Sequence, residues 1–250
     1  MAATDIKNDA SLGASTLAGV WCTTATVTED VHTTAHTLTD NNTVTTATGK
    51  QGTAAQFTSA NSEYLSLADH ADVSPTGDCS FAAWIYLDSA VTGWQPLIDK
   101  DDGQPNRSYA FALREVTGDN YEIVLSTNGN NANTNNYRAA AGITFSTGTW
   151  YHIVMAYNSA GGTVKCYRDG SLDATISSTS SGIYDSTATF KIGAYVVNSL
   201  YFNGRMNQVL FYRKELTATD ASNLYNGGTG IPYEAAAGAT VDSLMFGHFA

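Results

Sequence analysis

The sequence predicts an all-β domain of the sandwich or barrel kind, with one short helix near its C-terminus. Three observations carry this. Apolar runs of strand length, rich in aromatic and β-branched residues, recur along the chain and are bounded by Gly, Asn, Asp or Ser. Turn signals return about every ten residues, the spacing that stacked sheets produce. No stretch of helical period exceeds two turns.

Residues 1–16 are small and polar, with only Ile6 and Leu12 to bury, and read as an arm that is mobile in an isolated monomer. From residue 17 to 230 the runs follow in order: Phe81–Leu87, Tyr109–Leu113, Tyr121–Leu125, Trp150–Tyr157, Thr163–Arg168, Thr189–Val196 and Arg205–Tyr212. Within Trp150–Tyr157, alternation puts Tyr151, Ile153, Met155 and Tyr157 on one face. Asp169-Gly170 between two runs is a hairpin signal, because a tight turn needs positive φ where Gly is unstrained. Thr217 can cap a helix at the amide of Asp220, Leu224 gives it an apolar contact, and Gly227-Gly228 ends it. Residues 231–250 form a tail whose end, Ser243 to Phe249, is apolar and strand-like.

Charge and cysteines exclude several functions. Twelve Lys and Arg against 23 Asp and Glu give a net charge of −11, a field that repels nucleic acid and anionic lipid. The three cysteines, Cys22, Cys79 and Cys166, are an odd count with no C-x-x-C and no His at ligand spacing, which argues against a zinc site or a disulfide framework. No stretch approaches 18 apolar residues, so membrane insertion is not expected. Asn41-Asn42-Thr43 and Asn106-Arg107-Ser108 are glycosylation sequons, meaningful only on a secretory route.

Five segments in order resemble one family. Gly49-Lys50-Gln51-Gly52-Thr53-Ala54 with Phe57, Tyr64 and Leu65 resembles its "GKxGxA…F…yl" segment. Ser80 to Ile85 resembles "F(T)xxxWi", and Thr149-Trp150-Tyr151-His152-Ile153-Val154 matches "tWyHvv". Lys165 to Gly170 resembles "kLYvDG", and Gly204 to Tyr212 with Leu216 and Leu224-Tyr225 resembles the closing "GxiDEvxiYnraLs…Ly". The family is the laminin-G-like, concanavalin A-like lectin/glucanase jelly roll, including pentraxin-type domains. The resemblance spans about 210 residues and implies a two-sheet antiparallel jelly-roll β-sandwich. Cys166 stands where the family has Leu and reads as a small buried hydrophobe. Related domains hold one calcium between an early Asp and the Asp of "iDE". Here the corresponding residues are Asp40 with Asn42, and Asn207 in place of the carboxylate.

The residues argue against catalysis. Retaining glycosidases on this fold hold two carboxylates about 5–5.5 Å apart, in an E-x-D-x-x-E strand in the laminarinase-like enzymes. None of Glu29, Glu63, Glu115, Glu122, Glu215 and Glu234 begins that motif, and no G-x-S-x-G or H-E-x-x-H is present. Glu115, Asp119 and Glu122 read as solvated hairpin ends, and Asp99, Asp101 and Asp102 as a solvated acidic turn. His152 is expected to pack or bond locally, and His32, His36, His70 and His248 are isolated from nucleophile signatures. Sugar binding needs an aromatic for stacking beside amide partners. Trp94, in a polar loop, with Asn128, Asn130, Asn131 and Tyr137, is the expected glycan rim; the equal alternative is that Trp94 caps the core and the Asn-rich stretch only forms turns.

The expected function is a non-catalytic display protein, such as a phage or virion decoration or tail component that binds glycans at the virion surface. The alternative is a secreted or cell-surface carbohydrate-binding adhesion module, with a glycoside hydrolase a distant third. Met1 and the apolar tail lean toward a homo- or hetero-oligomeric assembly. In it Leu244, Met245, Phe246 and Phe249 would add a strand to a neighbour.

Overall fold

The computed structural model describes residues 5–12, 15–115, 119–130, 134–140, 144–177 and 180–234. The leading strands are β1 (Leu17–Trp21), β2 (Thr39–Asn41), β3 (Thr45–Thr48), β4 (Thr53–Phe57), β5 (Tyr64–Leu67) and β6 (Cys79–Leu87). The middle of the chain contributes β7 (Trp94–Asp101), β8 (Arg107–Glu115), β9 (Asp119–Ser126), β10 (Thr134–Ala140), β11 (Trp150–Asn158), β12 (Thr163–Arg168) and β13 (Ser171–Ser177). There follow β14 (Phe190–Ile192), β15 (Ala194–Tyr195), β16 (Leu200–Tyr201), β17 (Gly204–Tyr212) and the helix α1 (Ala218–Tyr225). All pairings are antiparallel. One sheet runs β13-β12-β11-β6-β17-β4-β3, with β1 also on β17, and the second runs β10-β9-β8-β7-β14-β5-β2. This is the two-sheet jelly-roll sandwich that the sequence predicts.

The core follows from strand alternation. Phe81, Ala83 and Ile85 of β6 and Tyr151, Ile153, Met155 and Tyr157 of β11 face Ile98, Phe111, Ile123 and Phe190 of the second sheet. Tyr109 and Phe211 stack across the sandwich, centroids 5.6 Å apart and 10° from parallel. Cys166 lies in this core, and burial pushes its thiol well up, so it acts as the expected hydrophobe. Asp169 and Gly170 both take positive φ and turn β12 into β13. The expected run Thr189–Val196 is split at Gly193, whose φ is +84° and where a Cβ would meet the Phe57 ring at 2.9 Å.

The outer face of the first sheet carries a second core. α1 starts on the expected cap, a full capping box between Thr217 and Asp220, and lays Ala221 and Leu224 on the sheet. Its C-terminus turns on Asn226 in the left-handed region, one residue before the expected glycines. Residues 5–12 correct the expectation of an arm with little to bury. Ile6 and Leu12 are fully buried against Tyr212, Leu216, Leu224, Ile231 and Tyr233. The Ile6 and Lys7 amides donate to Pro232 and Tyr233 carbonyls at 3.0 and 2.9 Å, so N-terminal and late segments pair with each other. None of the described helices is long and apolar enough to cross a membrane.

His152, on β11, packs its ring on Trp84 with centroids 5.0 Å apart, and Asp169 Oδ1 accepts from its backbone amide. Burial depresses the imidazole from 6.5 to about 3. The unfolded chain therefore binds more protons than the folded one as pH falls from 6.5 toward 3, and stability is lost across that window by up to about 1.4 kcal/mol per pH unit. His152→Phe is expected to flatten this acid slope. Urea midpoints of both proteins over that range check it, and parallel curves would refute the assignment.

Candidate functional site

The geometry of the site starts at one irregularity in β17. Between Asn207 and Leu210 its register with β6 shifts, and Gln208 sits at φ +52°. On its other edge β17 pairs with β4 through residues 204–206 and with β1 through residues 209–212, so the bulge marks where one neighbour gives way to the other. A bulge re-aims side chains and opens unpaired backbone. Here Asn207 fills the gap. Its Nδ2 donates to the carbonyls of Cys22, Gln51 and Thr53 at 2.9, 3.0 and 2.9 Å, and its Oδ1 accepts from the Gln51 amide at 2.6 Å. Gln208 Nε2 donates to Ile231 O at 2.7 Å, and its amide to Cys22 O at 3.1 Å.

The glycines of the Gly49-to-Gly52 turn have their reason here. A Cβ at Gly49 would lie 2.8 Å from Asn207 Cγ, and Gly52 takes φ +61°. The bulge thereby anchors three segments: the loop after β1, the β3–β4 turn, and residues 229–234. Between them lies a cleft of about 570 Å³ whose lining includes Glu29, His32, Gln51, Gln208, Tyr233 and Glu234. That volume suits a small polar ligand. Tyr233 forms one wall, its hydroxyl 2.9 Å from His32 Nδ1 and the two rings edge-on at 5.9 Å. Burial raises the Tyr233 hydroxyl pKa, which keeps it a neutral donor and acceptor. Glu29 is exposed, with one oxygen on Thr24 Oγ1 at 2.8 Å. Glu234 is ion-paired with Lys7. Asp30 spends its oxygens on the amides of Val20 and His32 and on His36 Nδ1. Thr23 Oγ1 is buried with no hydrogen-bond partner. An exposed carboxylate beside an aromatic edge is what polyhydroxylated ligands engage.

None of the sequence-predicted site residues lines this cleft except through the bulge. Trp94 is corrected from a loop platform to the first residue of β7. It is buried and edge-on to Tyr195 at 4.8 Å, so no face is left for stacking. Asn128 and Asn130 sit at the other end of the sheet. Trp94 pairs with Arg114, whereas Arg107, at the far end of the β7–β8 ladder, donates to Gly129 O. Seven residues of strand separate the ends, about 23 Å at about 3.3 Å per residue. Asn128 Oδ1 caps the amide of Asn130 within its own turn. Tyr137 is placed by backbone pairing with Ile123 in β10, and Asn131 lies outside the described residues. So do Leu244, Met245, Phe246 and Phe249 of the expected assembly strand.

The expected calcium ligands are not assembled. Asp40 is on the edge strand of the second sheet and closes a turn at the Val44 amide, and Asn42 donates to Ser62 O. Asn207 is fully buried in the first sheet, where its amide nitrogen occupies the carbonyl cluster that a cation would need.

The acidic stretch after Trp94 is also corrected. Asp99 and Asp101 are buried on β7, and Lys191 Nζ donates to Asp99, to Asp102 and to the Asp101 carbonyl. Arg107 and Tyr195 hold Asp101 at 3.0 and 3.1 Å. Burial pushes the Asp99 carboxyl up to about 8, against the pull of Lys191. Glu122, expected at a solvated hairpin end, is fully buried and paired with Arg114 at 3.2 Å. Such charges tolerate burial only when paired, and they hold strands together.

Known proteins resemble the chain as follows. The family model described as the concanavalin A-like lectin/glucanases superfamily matches residues 58–222. No curated protein matches. Among solved structures, domain 4 of the extracellular GH43 arabinanase AbnA from Geobacillus stearothermophilus, in complex with arabinotriose, is similar at TM-score 0.65 and 17% identity. That match covers 83% of this chain and 97% of the other. The botulinum neurotoxin serotype D binding domain gives TM-score 0.64 at 15% identity over 85% of this chain and 52% of its own. The binding domain of botulinum neurotoxin DC in complex with SialylT gives 0.62 at 13% over 84% and 50%. The chain spans about half of each toxin domain.

Asn207→Asp should lower unfolding free energy by about 3 kcal/mol or more, since a buried carboxylate would face three carbonyls without a donor. Chemical denaturation measures this; a variant of unchanged stability would show that the amide does not tie the cleft walls.

Proposed function

The chain belongs to the concanavalin A-like lectin/glucanase superfamily, and we propose that it is a non-catalytic carbohydrate-binding domain whose ligand enters the cleft beside Tyr233. The observation that carries this reading is the cleft wall itself. The Glu29 carboxylate is exposed beside the Tyr233–His32 pair, so an anionic acceptor and an aromatic edge line the same cleft. Sugar hydroxyls are donors and acceptors at once and suit such a wall. The exposed Glu29 carboxylate favours a neutral oligosaccharide over a sialylated one, because like charges repel at close range. The arabinanase domain bound to arabinotriose, matched over nearly its whole length, supports a neutral sugar.

Hydrolysis is not part of the proposal. It takes two carboxylates placed about a scissile bond, whereas Asp30 is saturated and Glu234 is tied to Lys7. An extracellular location accords with the arabinanase's description as extracellular. The display role expected from the tail rests on residues outside those described, so binding is the function argued from the cleft.

Glu29→Gln should weaken a neutral oligosaccharide about tenfold, the worth of one charge-assisted hydrogen bond, with the melting temperature unchanged. Calorimetric titration with arabino- and gluco-oligosaccharides, with parallel assay for released reducing sugar, tests this. Absence of binding across the panel, equal affinity of the variant, or sugar release would overturn the reading.

A further inference from the structure

We propose that His36, His70 and Asp72 form a binding site for a transition-metal dication of the zinc class. The inference stands on its own geometry and does not rest on sugar binding. Two 3₁₀ turns, Thr34–His36 and Ala71–Val73, bring the residues together across 34 positions of sequence. His36 Nε2 lies 3.1 Å from His70 Nδ1 and 3.1 Å from Asp72 Oδ2, and His70 Nδ1 lies 3.5 Å from that oxygen. All three ligand atoms fall within 4.8 Å of one another.

Hydrogen bonding fixes what each atom offers. Asp30 Oδ2 sits 3.0 Å from His36 Nδ1, and since a carboxylate only accepts, Nδ1 carries the hydrogen. In the neutral ring Nε2 then presents a lone pair. His70 Nδ1 accepts from the Asp72 amide at 3.2 Å, which makes it the unprotonated nitrogen of the ring, and its lone pair would exchange that bond for the ion. Asp72 Oδ2 is a carboxylate oxygen. With His36 neutral, three acceptors converge with no donor between them, and a metal cation among them removes the repulsion. Atoms bound about 2.0–2.1 Å from a tetrahedral ion lie about 3.3–3.4 Å apart, and the three observed separations bracket that value.

The surroundings match a built site. Asp30 orients His36 as the carboxylate–histidine–metal pattern requires. Arg213 Nη1 holds the other oxygen of Asp72 at 2.7 Å and leaves Oδ2 directed inward. His36 is buried, while the side chains of His70 and Asp72 are 40% and 31% exposed, so one side opens to solvent for ion entry and a fourth ligand. Two imidazoles select zinc, nickel or copper over calcium, which wants six to eight oxygens.

Zn²⁺ titration of the full chain without a polyhistidine tag tests the site, with Co²⁺ absorption as a second probe. The expected result is one ion per chain and a melting temperature raised by about 5–10 °C at a zinc concentration 100-fold above Kd. Millimolar calcium should not compete. His36→Ala removes a buried, bonded ring, so the decisive variants are the more exposed His70→Ala and Asp72→Asn. Each should weaken zinc about 100-fold with circular dichroism unchanged. No saturable binding at neutral pH, or binding that both variants retain, would overturn the proposal.

Discussion

The amide of Asn207 is the interaction on which the site depends. At the point where β17 changes neighbour from β4 to β1, two segments, the loop after β1 and the β3–β4 turn, direct backbone polar groups at the bulge inside the protein. One side chain satisfies the carbonyls of Cys22, Gln51 and Thr53 and the Gln51 amide. Buried polar groups without partners cost about 1–3 kcal/mol each, so the same residue that stabilises the bulge also dictates where the cleft walls stand. Gln208 extends the arrangement to Ile231, and through it to Tyr233. Asp30 continues it on the other side, facing the cleft and holding His36 for the histidine–aspartate cluster.

The two sheets divide the labour. The first supports the cleft on its outer face, beside the layer of α1, residues 5–12 and residues 231–234. On the second sheet Trp94 and Tyr195 are buried beside a paired charge network around Asp99, Asp101 and Lys191. That network explains how charged residues can sit on a central strand: every cation there has an acid within about 3 Å, a distance at which the pair offsets much of its desolvation. A face already filled in this way leaves little chemistry for a ligand.

Much of the fold was legible in the sequence, because strand alternation and turn chemistry act locally. The runs at Phe81, Trp150 and Arg205 became β6, β11 and β17, and the Asp169-Gly170 turn and the Thr217 cap formed where expected. β7 was not legible. Asp99, Asp101 and Asp102 read as a solvated turn, yet Asp99 and Asp101 lie on the strand with their charges paired, and Pro96 is tolerated there because it sits at a register shift. β10 was hidden for a related reason: its Asn-rich sequence signals a turn until β9 supplies ladder bonds. The cleft was invisible because its walls are loops distant in sequence, joined only through the bulge. His36 and His70 likewise meet only after the sandwich forms. Trp94 misled because an aromatic among polar residues reads as exposed, whereas the β15–β16 hairpin places Tyr195 against it.

Amide chemical-shift mapping during titration with a neutral oligosaccharide addresses the central claim most directly. The account predicts saturable shifts clustered at Thr23, His32, Gln51, Gly52 and Tyr233, the residues whose placement follows from Asn207 and Gln208. Shifts confined to the Arg114, Glu122 and Tyr195 side of the second sheet, with the cleft amides unmoved, would contradict it.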